Sequence, residues 1–400
     1  MRSRGTGTYR VHLLLNHLNQ SLAARVAWLC SCAALGLAPI HVQGQTPPPR
    51  RDSLPEDTYF YTGLPGSDSY VGPFDVLLNK GFNFAQAENR SRDIFRTEYS
   101  FRHVWNSLAH PLQSIDNTGG VGEWVQKEIL PVQAWNWIKS GFRWDKVDNM
   151  TWYPNYMGHF VEGGITSRRL AEKFRSQGVP YASTLAGMTT MATAMVNEAY
   201  THGNIENGQG TGGTVADLYF FDLGGMLVFT LDPVARFFAQ TLHATVWPGQ
   251  ASITAPNLNI ANNANNLVFK FPMPFTDKAS IFWRTGIGSH LGVTAHLREG
   301  YDLSVGLGAD ASRQVNDPVT GHESVDIRLS AAAYLDRGGS VLAAVHWSEV
   351  DHRLFAVNVY PGVFHPDFGA WINFDQDGAF QFGLSHRLTL GLGFGYAVGS

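Results

Sequence analysis

From Pro248 to the C-terminus the sequence alternates in polarity with a period of two, and no other feature of the chain restricts its fold as much. The strand-length pieces IFWRTGIG, LGVTAHLRE, YDLSVGLGADASRQ, ESVDIRLSAAAYLDR, GSVLAAVHWSEV, RLFAVNVYPGVF, GAWINFDQD, AFQFGLSHR and LTLGLGFGYA follow one another, separated by short turns rich in Gly, Asp and Asn. Successive side chains of a strand point to opposite faces. Val325, Ile327, Leu329, Ala331, Ala333 and Leu335 therefore make one apolar face, and Asp326, Arg328, Ser330, Tyr334 and Asp336 make the other. Segments of roughly 10 residues in this pattern are what an up-and-down antiparallel barrel requires.

Two solvents are compatible with such alternation. A soluble barrel turns its apolar face inward; an outer-membrane barrel turns it outward. Along YDLSVGLGADASRQ and LTLGLGFGYA the second face is mostly Gly and Ser, with charges near the segment ends. The aromatics Trp283, Tyr334, Trp347, Trp371 and Tyr396 recur near segment ends, as an interfacial girdle would. The expectation is an α+β chain: a helical subdomain, then a C-terminal antiparallel β-barrel of outer-membrane type, with a soluble periplasmic β-domain as the alternative.

The N-terminus agrees with an envelope location. Residues 1–44 hold Arg2, Arg4, Arg10 and Arg25, no acidic residue, and the apolar run VAWLCSCAALGLAPI. This reads as a secretory signal cleaved before Gln45. Both cysteines, Cys30 and Cys32, lie within that run, so the chain beyond it has no thiolate ligand and no disulfide framework. Four of the 29 Lys and Arg also fall there, leaving 25 basic against 33 acidic residues. A mildly acidic chain without basic blocks excludes nucleic acid as the expected partner and leaves outer-membrane lipid and a small-molecule or lipid ligand.

The segments between the two ends divide by texture. Residues 45–57 (QTPPPRRDSLPED) read as a Pro-rich linker, and 58–120 as one or two strands with irregular structure. Residues 121–248 read as a helical subdomain, with 249–400 forming the barrel strands. Within the helical part EWVQKEILPVQAWNWIKSGF is divided by Pro131, a second helix runs from Gly158 to Phe174 and stops at Gly178 and Pro180, and a third spans Tyr181–Tyr200. The segment VADLYFFDLGGMLVFTLDPVARFFAQTLHATVW is apolar almost all round and is expected to be buried.

Two polar pairs stand out in that subdomain. His159 and Glu162 are three apart, Glu198 and His202 four apart, and either spacing places a pair on one helix face. An antiparallel turn at Gln177–Pro180 brings both pairs to the same end, where Asp217 returns after the Gly-rich loop. His159, Glu198 and Asp217 are the catalytic candidates; His159, Glu162, Glu198 and His202 are the metal candidates. Imidazole and carboxylate suit Zn, Fe or Mn, or a water-activating base. The blander expectation comes first: a polar network holding helices together, with Arg168 and Arg169 neutralising a carboxylate and His159 bonding to Asn197 or Glu198. No resident cofactor is expected, a divalent metal being the one candidate.

Gly158-His159, then Glu198 after an apolar helix, then Val215-Ala216-Asp217 with Gly224-Gly225, resembles uncharacterised bacterial envelope families. More distantly it resembles VanZ-like proteins, in which Asp-Lys-x-x-His is followed by a helix-borne Glu and an Asp. The resemblance covers about residues 145–230 and departs in one respect: Asp145-Lys146 stands far before His159, and Asn155 is nearest the expected place. It implies a shared helical unit rather than a reaction.

No GxSxG, P-loop, GxGxxG or HExxH occurs. His346-Trp347-Ser348 has the alternation of a barrel-borne hydrolase pair but no matched acid in view. His290, His296, His322, His352 and His365 fall at expected turns and strand ends, where solvation is their ordinary role. The functional expectation is a Gram-negative outer-membrane component with a structural, binding or transport role and no chemistry of its own. The alternatives are an envelope lipid or cell-wall hydrolase using the His/Glu/Asp cluster, and a soluble periplasmic ligand-binding domain.

Overall fold

The computed structural model describes residues 54–86, 94–95, 99–130, 155–202, 209–255, 258–316, 323–350, 353–386 and 393–398, all within one compact unit, Gln45–Ser400. The expected signal segment, most of the Pro-rich linker, residues 131–142 of the first expected helix with 143–154 after it, and residues 203–208 of the Gly-rich loop lie outside these.

The helical region comes first. Its α-helices are α1 (Pro73–Val76), α2 (Phe101–Ala109), α3 (Pro111–Asp116), α4 (Val121–Trp124), α5 (Gly163–Ser176), α6 (Ala182–Thr201), α7 (Gly212–Val215), α8 (Leu223–Phe229) and α9 (Asp232–Arg236). Residues 58–120, read as one or two strands with irregular structure, hold no strand among the described residues, and FRHVWNSLA is helix α2. Phe101 and Trp105 lie on the exposed face of this amphipathic helix, which buries His103, Val104 and Ser107.

Helices α5 and α6 form a tight hairpin. Gly178, at φ 71°, ends α5 in the left-handed conformation, and the N–H groups of Val179 and Gly178 close back on Phe174 and Arg175 carbonyls, satisfying the last turn. The apolar segment after α7 is not buried as expected. It bends by 88° between Phe229 and Asp232, and Tyr219, Phe220, Leu223, Leu227, Leu231 and Phe237 are exposed. No single helix among the described residues is long and apolar enough to cross a membrane.

Thirteen strands follow: β1 (Thr245–Pro248), β2 (Ser252–Ala255), β3 (Asn259–Ala261), β4 (Asn265–Met273), β5 (Thr276–Thr285), β6 (Gly288–His296), β7 (Tyr301–Asn316), β8 (Glu323–Arg337), β9 (Ser340–Ser348), β10 (Phe355–Val359), β11 (Phe368–Phe374), β12 (Phe380–His386) and β13 (Gly393–Val398). The strand region begins at Thr245, just inside the segment read as helical. From β4 to β13 it is an antiparallel meander; β13 then pairs with β2 in parallel.

The expected barrel is not formed. The sheet runs from β1 to β3 and no ladder joins those edges among the described residues. The Asn-rich stretch between β3 and β4 turns polar groups to the helical region. Asn263 Nδ2 donates to the Leu78 and Phe82 carbonyls at 3.2 and 2.6 Å, and Ala264 N donates to Asn79 Oδ1 at 3.0 Å. Helical structure thus blunts edges that would otherwise template further pairing. Only Gly249-Gln250-Ala251 separate β1 from β2, so the sheet curls strongly, and Val268, Phe282, Tyr334, Val341 and Tyr360 meet in one inner cluster. A second core lies between the helices and the other face of β1 and β4, where Ile165 and Phe229 meet Val246, Leu267 and Phe269.

On β6, β7 and β8 several apolar side chains are exposed and several polar ones buried. On β6, His290 and Thr294 are fully buried while Leu291 and Val293 are 63% and 49% exposed. On β7, Ser304 and Asp310 point inward and Val305 and Leu307 outward; on β8, Ser330 and Asp336 are buried and Ile327 and Leu329 exposed. The expected aromatic girdle is not there: Tyr334, Trp347 and Trp371 are buried, and of the five aromatics only Tyr396 is strongly exposed. Trp371 instead donates from Nε1 to Ser252 Oγ at 2.8 Å, an indole satisfied by an inward hydroxyl.

Candidate metal centre in the helical region

Two π-helical segments, Asn155–Glu162 and Ala216–Asp222, carry most of the polar groups of interest. The first runs directly into α5, the second into α8. A π-helix closes i→i+5 bonds and often marks a functional position. The wider turn brings Asp217 and Asp222, five apart, toward one face, which α-helical spacing would not do. Close packing joins the two segments. A Cβ on Gly225 would stand 2.2 Å from the Phe160 carbonyl oxygen, and one on Gly164 would stand 2.4 Å from the Phe229 ring, so only glycine permits this approach.

His159, Glu198 and Asp217 each offer one donor atom, all within 4.8 Å of one another. Glu198 is buried, whereas His159 and Asp217 are partly exposed. His159 Nδ1 lies 2.9 Å from Oδ2 of fully buried Asp222. That bond leaves Nε2 as the free ring nitrogen. Thr214 Oγ1 donates to Glu198 Oε2 at 2.9 Å, and His103 Nε2 meets the same hydroxyl at 2.8 Å. Around the three candidates there is thus an outer ring of Asp222, Thr214 and His103 that fixes their orientation.

The other two candidates stand beside this group rather than in it. Glu162 faces Lys80, with Nζ to Oε2 at 3.4 Å; its Oε1 accepts from Thr166 at 3.0 Å and from Asn265 on β4. His202 stacks on His103 with ring centroids 4.9 Å apart, and its Nδ1 is 3.5 Å from Glu198 Oε2. The arginines expected to neutralise Glu162 are engaged elsewhere. Arg168 binds Glu172 at 3.0 Å and Asp232 at 2.8 Å, and Arg169 pairs with Asp68. Asn197 turns to the Gly81 carbonyl at 3.3 Å, not to His159.

Burial and charge shape the acidity of these groups. Burial works against the His159 imidazolium, but the Asp222 and Asp217 carboxylates outweigh it and push the group up to about 9. Burial holds the Asp217 carboxyl well above the usual carboxylate range, against His159 and with Glu198 and Asp222 adding to it. Burial raises Glu162 too, opposed by Lys80. Lys80 is itself raised, because Glu162 and Asp222 overcome its desolvation.

Sequence reading missed Lys80, His103, Thr214 and Asp222. Asp222 carried a signal, an acidic residue five places after Asp217 in an apolar run. Lys80 and His103 carried none, since they arrive from far along the chain on segments whose structure was read differently. A second group of the same composition, His290, Asp310 and His346, lies on β6, β7 and β9 inside the sheet, also with donor atoms within 4.8 Å. His290, expected at a solvated turn, is fully buried there. Compared with protein-family models, with curated proteins and with solved structures, the chain matches none.

Proposed function

We propose that this chain is an outer-membrane protein whose curled sheet meets lipid with its apolar outer face, and whose helical region serves a structural, binding or transport role in the envelope. The observation that supports this is the exposure pattern of strands β5–β8: hydroxyls, carboxylates and imidazoles point in, and Ile281, Leu291, Val293, Val305, Leu307 and Leu329 point out. Full burial of one such side chain contributes about 1.5–3 kcal/mol, and an apolar surface spread over several adjacent strands marks contact with something other than water. Strands β4–β9 are 9–16 residues long, against the roughly 9–11 that a tilted strand needs to cross a bilayer. A soluble periplasmic β-domain would carry its charged face outward. Expressed without residues 1–44, the protein should be soluble only in detergent and should migrate differently on electrophoresis before and after heating. Recovery of a folded, detergent-free soluble monomer contradicts the reading.

A second reading, an envelope hydrolase, is supported by one observation: partly exposed His159, with Nδ1 held by buried Asp222, leaves Nε2 free beside Glu198 and Asp217. That is the arrangement of an oriented base once the imidazolium, pushed up to about 9, has lost its proton, so any turnover should rise with pH. The check is hydrolysis of phospholipid vesicles and of peptidoglycan fragments by the detergent-solubilised protein. Turnover abolished by His159→Gln in a folded variant supports it, and no turnover on either substrate removes it.

A further inference from the structure

We infer that Ser280, His296 and Asp302 act as nucleophile, base and orienting acid in the hydrolysis of a carboxylic ester, at the end of the sheet where the β4–β5 and β6–β7 turns lie. This site is separate from the helical centre and does not depend on what covers the outer face of the sheet.

The three residues come from neighbouring strands and share the inner face. Two places along each strand from them, Phe282, Thr294 and Ser304 are fully buried. Ser280 on β5 pairs with Thr294 on β6, and His296 on β6 pairs with Asp302 on β7, so serine and histidine are diagonal neighbours, histidine and aspartate direct ones. Ser280 Oγ lies 2.8 Å from His296 Nε2, and His296 Nδ1 lies 2.8 Å from Asp302 Oδ1. A carboxylate only accepts, so Nδ1 carries the ring proton and Nε2 accepts from the Ser280 hydroxyl. Lys270 Nζ donates to Asp302 Oδ2 at 2.8 Å, which holds the carboxylate in place from its other side. Hydroxyl on Nε2 and carboxylate on Nδ1 is the order of contacts that activates a serine, and it recurs on unrelated folds.

The surroundings leave a way in. Ser280 is buried, but the His296 side chain beside it is 32% exposed. The register of β4 against β5 slips between Pro272 and Met273: Pro272 pairs with Ser280 and Met273 with Thr276, so Asp277, Lys278 and Ala279 have no partner on β4. A bulge of this kind re-aims the side chains next to it. Phe275 and Leu297 are exposed at the two adjoining turns, apolar surface for the acyl part of an ester.

A second Ser–His contact in the same sheet shows that proximity alone is not enough. His290 Nε2 is 2.8 Å from Ser330 Oγ, but His290 Nδ1 is 2.9 Å from Arg284 Nη1. A guanidinium only donates, so here Nδ1 accepts, Nε2 carries the proton, and the ring cannot take one from Ser330. His290 and Ser330 are also fully buried. Ser330→Ala is therefore the control substitution.

In the reaction, Ser280 Oγ forms a bond to the ester carbonyl carbon while its proton passes to His296 Nε2. The bond from that carbon to the alcohol oxygen breaks, the alcohol takes the proton from Nε2, and acyl-Ser280 remains. Water then attacks the same carbon and gives a proton to Nε2; the carboxylic acid leaves as Ser280 Oγ recovers that proton. Asp302 remains a carboxylate throughout, a positioning residue that steadies the imidazolium.

The test uses the full chain in detergent with a fluorescent fluorophosphonate, p-nitrophenyl butyrate and phospholipid vesicles. Expected are one phosphonyl adduct per chain, mapped to Ser280 by mass spectrometry, and ester hydrolysis that the adduct blocks. Release of fatty acid from the vesicles assigns a lipid ester; turnover of the butyrate alone assigns a soluble one. Ser280→Ala should abolish adduct and turnover. His296→Gln and Asp302→Asn should slow both by about 10³-fold or more, and Asp302→Glu should restore part of the rate, which a purely structural role would not. Ser330→Ala should label as the wild type does. No adduct on Ser280 in protein that still melts cooperatively, undiminished labelling of Ser280 in His296→Gln, or turnover of neither ester would each overturn the inference.

Discussion

The interior of the sheet and the centre of the helical region are both built from buried histidines and carboxylates, yet they differ in how charge is matched. In the sheet, Asp310 is met by His346 and Arg353, and Arg284 stands against His290. Asp310 has one guanidinium and one imidazole near it, and Lys270 between Asp302 and Asp336, at 2.8 and 2.6 Å, answers two more carboxylates. In the helical region Lys80 stands between Glu162 and Asp222, His159 pairs with Asp222, and His202 stands 3.5 Å from Glu198. The first arrangement sets guanidinium and ammonium groups against its carboxylates; the second leans on imidazoles. Residue type alone does not separate a lock from a binding site, whereas the kind of cation set against each carboxylate does.

The largest expected effect lies in the lock. Asp310→Ala takes the carboxylate away from buried His346 and Arg353, and breaking such a cluster costs about 3–5 kcal/mol, read as a lower temperature for the heat-induced migration change. The matching change in the helical centre, Glu198→Gln, removes one charge and keeps an acceptor for Thr214. It should cost less than about 1 kcal/mol. Equal losses at the two positions would erase the contrast.

Next in size is the outer face. Leu291→Arg places a charge at a position 63% exposed in the middle of β6, and on a lipid-facing strand this costs about 2–4 kcal/mol at the bilayer midplane. The readout is the denaturant midpoint of refolding into vesicles; a wild-type midpoint would mean that water, not lipid, covers this face. Gly225→Ala is smaller. The added methyl meets the Phe160 carbonyl oxygen at 2.2 Å, and forced separation of the two π-helical segments should cost about 1–3 kcal/mol in the same midpoint.

The smallest effect is a pH dependence in the helical region. Asp75 Oδ2 accepts from Gly72 N at 2.7 Å while Oδ1 is buried without a hydrogen bond. Burial pushes its carboxyl up to about 7, against the Gly72 N–H and Lys173. The native state then keeps a proton that the unfolded chain loses near about pH 4. The stability it supplies is complete below about pH 4 and is lost as pH rises through about 7. Asp75→Asn should flatten that fall in melting curves taken between the two pH values.

Alternation over β5–β12 was legible because a strand writes its two faces into every second residue. Closure was not, since it depends on whether the edge strands β1 and β3 meet, and alternation along a strand says nothing of that. Strands β2 and β3 were missed because they are four and three residues long, too short to show a period. In the helical centre His159, Glu198 and Asp217 were legible from spacing and from the hairpin at Gly178. Lys80 was not, because its place is set by a π-helical turn with no sequence period of its own. The arginines were misassigned because Arg168 and Arg169 were weighed by nearness in sequence, while Glu172, one helical turn on from Arg168, takes it along with the N–H groups of Tyr59, Phe60 and Tyr61.

The lipid-facing sheet is tested most directly by spin labels on the protein reconstituted in bilayers. Cys30 and Cys32 are the only cysteines of the chain, so expression from Gln45 leaves a background in which Leu291→Cys, Val305→Cys and Lys278→Cys can each be labelled alone. Labels at Leu291 and Val305 should collide with dissolved oxygen and be shielded from an aqueous nickel chelate, with the opposite order at Lys278 near the end of β5. Equal access of the chelate to all three positions would contradict a sheet that faces lipid.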